Sequence, residues 1–155
     1  MDASVLTEDE RRFLRELDAR GVRYMIVGLT AAGLQGANTA TVDIDLWFES
    51  IGDPGINAAA TAAGGLFVGG FGLMPARLGG SLERFDIVVS MSGIGTFREE
   101  FDNSKPITVE GVPTRVLSLE RILASKRAAN RLKDQAVIPA LEEALAAIDG
   151  DDPKG

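Results

Sequence analysis

Seven residues, Val42-Asp-Ile-Asp-Leu-Trp-Phe48, constrain this chain more than any other stretch. Apolar and polar positions alternate, so the run predicts a strand with Val42, Ile44, Leu46 and Phe48 on one face. Asp43, Asp45 and Trp47 take the other. Two acids two residues apart leave a strand on the same side, with α-carbons about 6.6 Å apart. At about 4 Å their carboxylates would repel by roughly 4 kcal/mol at an effective dielectric near 20. In an otherwise apolar, central strand that cost calls for a cation or a basic side chain. Oxygen-only ligands at this spacing suit Mg2+ or Mn2+. A solvated face on which both acids merely keep the strand soluble is the competing reading, of equal weight on the Asp-x-Asp alone.

A third acid shifts that balance. Arg84-Phe-Asp-Ile-Val-Val89 reads as another apolar strand, over about Glu83 to Ser90, with Asp86 opposite Phe85, Ile87 and Val89. If the two strands are neighbours, three carboxylates share one sheet face, an arrangement suited to two-metal phosphoryl or nucleotidyl transfer. Ahead of the paired acids, Val27-Gly28-Leu29-Thr30-Ala31 reads as a strand-to-helix turn whose backbone N–H groups can bind anionic oxygens. Its glycines, Gly28, Gly33 and Gly36, lack G-x-G-x-x-G spacing, and no Gly-Lys-Ser/Thr follows, so neither a dinucleotide fingerprint nor a P-loop is present. Alone these glycines could serve only turns and packing. Near the C-terminus, Leu119, Ile122, Leu123 and Lys126 fall at i, i+3, i+4 and i+7, so a lysine continues an apolar stripe. It must snorkel or meet an anion: a triphosphate, or a partner such as Asp134 or Glu120.

The remainder of the chain reads as alternating elements. Thr7-x-x-Glu10 opens a helix carrying Phe13, Leu14 and Leu17, and Gly21 stops it. Arg23 to Val27 is a buried strand, followed by a short helix from Thr30 to Leu34. Asp53-Pro54 starts an alanine-rich helix ending near Gly64. Gly64 to Gly80 suggests loops with one short strand. Ile107 to Val109 and Pro113 to Leu117 form a hairpin whose second strand Pro113 places at an edge or starts late. Ser118 caps a helix to about Asn130, and a last helix runs from Leu132 to Ile148 past Pro139. The reading is one α/β (α+β) domain over 1–149 with a frayed tail over 150–155. The 155 residues suffice for one core, and the absence of cysteine and histidine excludes disulfides, usual zinc sites and every histidine-based triad. A net charge of −7 argues against a nonspecific nucleic-acid binder. No apolar run is long enough for a membrane span, so a cytoplasmic location is the expectation.

With these residues in place the chain resembles the nucleotidyltransferase-like superfamily, the polymerase-β-type fold, and most of all small bacterial members related to abortive-infection nucleotidyltransferase toxins. The resemblance rests on Tyr24-Met-Ile-Val-Gly28, then Thr41-Val-Asp-Ile-Asp-Leu46, then Arg84-Phe-Asp86, then Gly111 to Lys126 with Arg131-Leu-Lys-Asp134. It implies a mixed sheet flanked by helices, divalent metal (Mg2+ or Mn2+) on Asp43, Asp45 and Asp86, and an NTP tail near Gly28, Leu29 and Thr30 with Lys126 adding charge. It also implies transfer of an NMP to an acceptor that is an RNA, a protein or a small molecule. An antitoxin or a second copy is the possible protein partner. The chain departs from the family pattern at three places: Leu29 replaces a second small residue, Gln35 a histidine, and Thr39 an arginine. These departures keep open an alternative, a catalytically weak or silent member acting as a binding or regulatory module of a toxin–antitoxin pair. Nuclease-like hydrolysis is a third reading of the Asp-x-Asp.

Overall fold

The computed structural model describes residues 6–39 and 42–151. Helix α1 (Glu8–Ala19) starts at the expected capping box, with the Thr7 side chain on the Glu10 N–H and the Glu10 carboxylate on the Thr7 N–H. Strand β1 (Tyr24–Val27) is buried throughout. It runs directly into α2 (Gly28–Leu34), two residues earlier than the sequence suggests, because Gly28 turns the chain with φ +69°. Strand β2 covers Ile44–Phe48. Val42 and Asp43 therefore stand just ahead of the ladder, and Val42 is exposed instead of joining the buried stripe.

Asp53 caps α3 (Pro54–Ala62) through the Gly55 N–H, as its Asp-Pro pair predicts. The glycine-rich stretch that follows holds two short strands where one was expected. They are β3 (Leu66–Val68) and β4 (Arg77–Gly79), paired antiparallel. Strand β5 (Phe85–Val88) comes next, then a short helix α4 (Phe97–Asp102) that the sequence reading passes over. The hairpin of β6 (Lys105–Val109) and β7 (Val112–Val116) turns at Glu110-Gly111 as expected. Helices α5 (Leu119–Ala129) and α6 (Leu132–Asp151) close the fold. The final helix reaches Asp151, and residues 152–155, most of the tail expected over 150–155, lie outside the described residues.

The five-stranded sheet has the order β5-β2-β1-β7-β6. Strand β2 is antiparallel to β1 and parallel to β5, and β1 is parallel to β7, so the sheet is mixed and flanked by helices. The edge position expected for the Pro113 strand does not hold: β7 lies between β1 and β6. Proline is accommodated because Pro113 faces Thr108 of β6 near the turn, while β1 meets β7 only further along, at Ile26 and Val116. No ladder bond to β1 is demanded of the missing N–H. One face of the sheet packs Leu46, Ile26 and Val116 against Phe13, Leu17 and Ile56 of α1 and α3. Among the described residues no helix is long and apolar enough to cross a membrane.

Candidate functional site

The pairing of β2 with β5 decides which acids meet. In their parallel register Asp45 stands directly opposite Asp86 and Ile44 opposite Phe85, so both acids leave the same face at the same height. Asp43 lies two residues before Asp45, near enough for its charge to act on the Asp86 carboxyl. The sequence-predicted acids are therefore neighbours. Burial, then the charges of Asp86 and Asp43, raise the Asp45 carboxyl above the usual carboxylate range, with Lys126 and Lys133 pulling the other way. Burial and Asp43 raise Asp86 as well. Raised carboxylates at one spot mark negative charge that the described side chains leave incompletely compensated.

Gly28 fixes the height of this site. A Cβ at that position would lie 2.3 Å from Oδ2 of Asp45, and the φ of +69° is left-handed. Only glycine lets the β1–α2 turn pass this close to a carboxylate. Beside it, Leu29 and Thr30 are half-buried in the first turn of α2. The Thr30 hydroxyl donates to the Asp43 carbonyl at 2.8 Å, so its proton locks the helix start to the strand entry. Thr39 Oγ1 donates to the Leu29 carbonyl at 3.2 Å. Gln35 binds three backbone groups: its Nε2 donates to Leu117 O at 2.8 Å and Ala31 O at 3.0 Å, and its Oε1 accepts from Leu119 N at 3.1 Å. It thereby supplies the cap of α5 that the Ser118 side chain does not make.

Lys126 meets the anion that its place on the apolar stripe called for. Its Nζ lies 3.3 Å from Oδ1 of Asp134, a fully buried acid. Arg131 adds Nε at 2.6 Å, Nη2 at 3.1 Å and its own backbone N–H at 3.1 Å. These contacts, led by Arg131, hold the Asp134 carboxyl well below the usual range. The same Lys126 and Arg131 line a cleft of about 400 Å3 with Gly28, Asp45, Ser90 and Ser125. Ser90 and Met91 carry that cleft into a groove of about 600 Å3 bounded by Trp47, Ile94 and Phe97. Glu10 completes the frame from behind. This buried acid grips the Arg84 guanidinium through Nε and Nη2, and Arg84 in turn offers its carbonyl to Ile44 N at 2.9 Å. Sequence reasoning missed both Glu10–Arg84 and the Glu100–Arg121 clamp, whose partners are far apart in the chain.

The donor set fits a divalent cation in chemistry: hard carboxylate oxygens with an excess of negative charge. In placement Asp45 stands opposite Asp86 with its carboxylate beside Gly28, and Asp43 lies two residues earlier. Among the described residues no three acidic side chains gather as one ion's ligand set.

No protein-family model matches the chain, and no curated protein matches it in sequence. Solved structures do. The crystal structure of ANT(2″)-Ia in complex with adenylyl-2″-tobramycin aligns with 89% of this chain and 88% of its own, at TM-score 0.57 and 19% identity. The solution structure of the antibiotic-resistance factor ANT(2″)-Ia aligns with 88% of this chain and 80% of its own, at TM-score 0.58 and 16% identity. The fold is thus the mixed, helix-flanked sheet of nucleotidyltransferase-fold proteins.

Proposed function

We propose that this chain is a metal-dependent nucleotidyltransferase that moves an NMP from an NTP to an acceptor hydroxyl. The observation that carries the reading is the register of β2 and β5, which sets Asp45 beside Asp86, next to a glycine turn and two residues from Asp43. Asp43 and Asp45 would hold Mg2+ or Mn2+, with Asp86 completing one site. Bound there, such a cation polarises phosphoryl oxygens and offsets the negative charge of the triphosphate. The backbone N–H groups of Gly28, Leu29 and Thr30 face the phosphate tail, and Lys126 supplies positive charge from the opposite wall. Asp86 accepts the acceptor's hydroxyl proton. The acceptor oxygen then bonds to the α-phosphorus as pyrophosphate leaves.

The groove beyond Ser90 and Met91 is the place for the acceptor. Its size, the net charge of −7 and the adenylylated small molecule held by ANT(2″)-Ia favour a small hydroxyl compound over a large RNA. A second reading has its own support. Lys126 is engaged with Asp134, and Gln35 and Thr39 bind backbone groups where the family has basic residues, which favours a catalytically silent, partner-binding module of a toxin–antitoxin pair. One assay separates the two. Incubation with Mg2+ or Mn2+, α-labelled NTPs and a panel of acceptors gives label transfer by the wild type and none by Asp43→Ala if the first holds. Neither transfer nor a metal-dependent rise in melting temperature would leave only the second.

A further inference from the structure

From Lys126 to Asp134 the chain sets four basic residues around one acid. Arg127 leaves the cluster, its guanidinium paired with the exposed Glu142 at 2.6 Å. Lys126, Arg131 and Lys133 remain, three cations against the single carboxylate of Asp134. That carboxylate is full. Lys126 Nζ and Arg131 Nη2 approach its Oδ1, and the Nε and backbone N–H of Arg131 approach its Oδ2. Three positive charges against one negative leave a surplus of two, local to this corner of a chain whose net charge is −7. Among the described residues, Nη1 of Arg131 and the exposed Lys133 ammonium bond nothing.

More than half of the Arg131 side chain is exposed, yet it is fixed at both ends. Asn130 turns the chain between α5 and α6 in the left-handed region, with φ +50°. The Gln135 amide holds that turn, donating to the Asn130 carbonyl at 3.2 Å and to its Oδ1 at 3.0 Å. The Arg131 carbonyl accepts from Asp134 N at 3.0 Å and Gln135 N at 2.9 Å. With Asp134 also holding its fork, the guanidinium has little rotamer entropy left to lose on meeting a ligand. It lines the same cleft as Gly28, Asp45 and Ser125. The charge of Lys133, like that of Lys126, acts on the Asp45 carboxyl. The cleft thus has an acidic wall at Asp45 and a cationic wall at the α5–α6 junction, within electrostatic reach of each other. A lone anion is repelled by the first and a lone cation by the second. A metal-complexed chain of phosphates satisfies both, its metal toward the acids and its free oxygens toward arginine and lysine.

We propose that Arg131 and Lys133 hold the phosphate chain of the nucleotide in this cleft, Arg131 as a fixed fork positioned by Asp134 and Lys133 as a free ammonium. The inference rests on the proposed function and adds two residues to it. The probe is inorganic tripolyphosphate with Mg2+, titrated into the full chain by calorimetry, beside KM and kcat for the NTP in the label-transfer assay. Saturable binding by the wild type is expected. Arg131→Gln weakens tripolyphosphate at least about tenfold, equivalent to 1.4 kcal/mol. Lys133→Gln weakens it severalfold and raises KM for the NTP by the same factor at unchanged kcat. Its melting temperature stays at the wild-type value, since this lysine bonds nothing in the folded chain. Arg127→Gln removes an equal charge from the same segment and leaves the affinity unchanged. If Arg131→Gln does not fold, Lys133→Gln decides. A wild type that neither binds tripolyphosphate nor transfers label overturns the proposed function, and this inference with it. Binding or transfer by the wild type, with wild-type affinity in Lys133→Gln or in a folded Arg131→Gln, overturns this inference alone, as does an equal loss in Arg127→Gln.

Discussion

The buried acids at the joints of this fold and the acids at the β2–β5 edge have opposite surroundings. Glu10, Glu100 and Asp134 are almost fully buried, yet each is gripped by an arginine fork: Arg84, Arg121 and Arg131. All three carboxyls are lowered; for Glu10, burial opposes the shift and the bonds from Arg84 and Thr7 outweigh it. Asp45 and Asp86 are less buried, have no fork, and are raised. Burial alone therefore does not decide how a carboxylate titrates. Hydrogen-bonded counter-charge does, and this fold provides it wherever an acid serves packing. At Asp45 and Asp86 no arginine fork among the described residues does so, and the proposed function reads that difference as room for a cation.

Asp45→Asn breaks the comparison most forcefully. Under the proposed function it removes a ligand and lowers label transfer by about 10^2- to 10^3-fold, the range seen when one electrostatic contact to a transition state is lost. It also relieves repulsion, so its melting temperature at neutral pH exceeds that of the wild type. The sign follows from the direction of the shift. A carboxyl raised in the folded state contributes stability below its unfolded pKa, and that stability is lost as pH rises through the folded pKa. The variant's advantage must then shrink as pH falls through the carboxylate range. An Asn variant less stable than wild type at pH 7 would show that Asp45 belongs with the joint acids.

Glu10→Gln is the mirror experiment. Removing the charge takes from Arg84 the carboxylate that grips its Nε and Nη2 and unsettles the α1 capping box. Breaking a buried pair costs about 3–5 kcal/mol, and the half-exposed arginine puts this one at the lower end. Denaturant unfolding reads the loss as a lower midpoint at unchanged slope. The wild-type contribution is present above the unfolded carboxylate pKa and is lost as pH falls through the lowered folded value. The deficit is therefore largest at neutral pH, opposite in sign to Asp45→Asn.

The two kinds of acid were unequally legible in the sequence. Asp43, Asp45 and Asp86 announce themselves because each interrupts an apolar alternating run, and local periodicity is what sequence displays best. The neighbourhood of β2 and β5 could be stated only as a condition, since pairing is a property of the whole sheet. Glu10 read as a capping residue, and it is one, but its partner Arg84 lies 74 positions away. No local pattern encodes that distance. Helix α4 was legible and passed over: Thr96-x-x-Glu99 is a capping box, formed in the structure. The β3–β4 hairpin is hidden by glycines that give it no periodicity. Gln35, read as the place of a missing basic residue, has instead a defined structural task. It ties α2 to the start of α5, a three-way bond that composition cannot show.

Asp134 belongs to both classes, and the smallest expected effect is the one that sharpens the comparison most. By burial and its Arg131 fork it is a joint acid, yet it also holds Lys126, whose charge reaches Asp45. Asp134→Asn keeps the shape and some of the hydrogen bonds. Its stability cost is set by the lost charge on an exposed arginine and a mostly buried lysine, about 1–3 kcal/mol. That loss, measured by thermal melting, must fade as pH falls below the unfolded carboxylate pKa, because the wild-type carboxyl is lowered. A purely structural acid predicts nothing else. If Asp134 also positions Lys126 over the nucleotide, KM for the NTP rises severalfold while kcat changes little, since the lysine contributes binding and not proton transfer. Unchanged KM with the full loss of stability would return Asp134 to the joints, and leave Lys126 without a role at the phosphates.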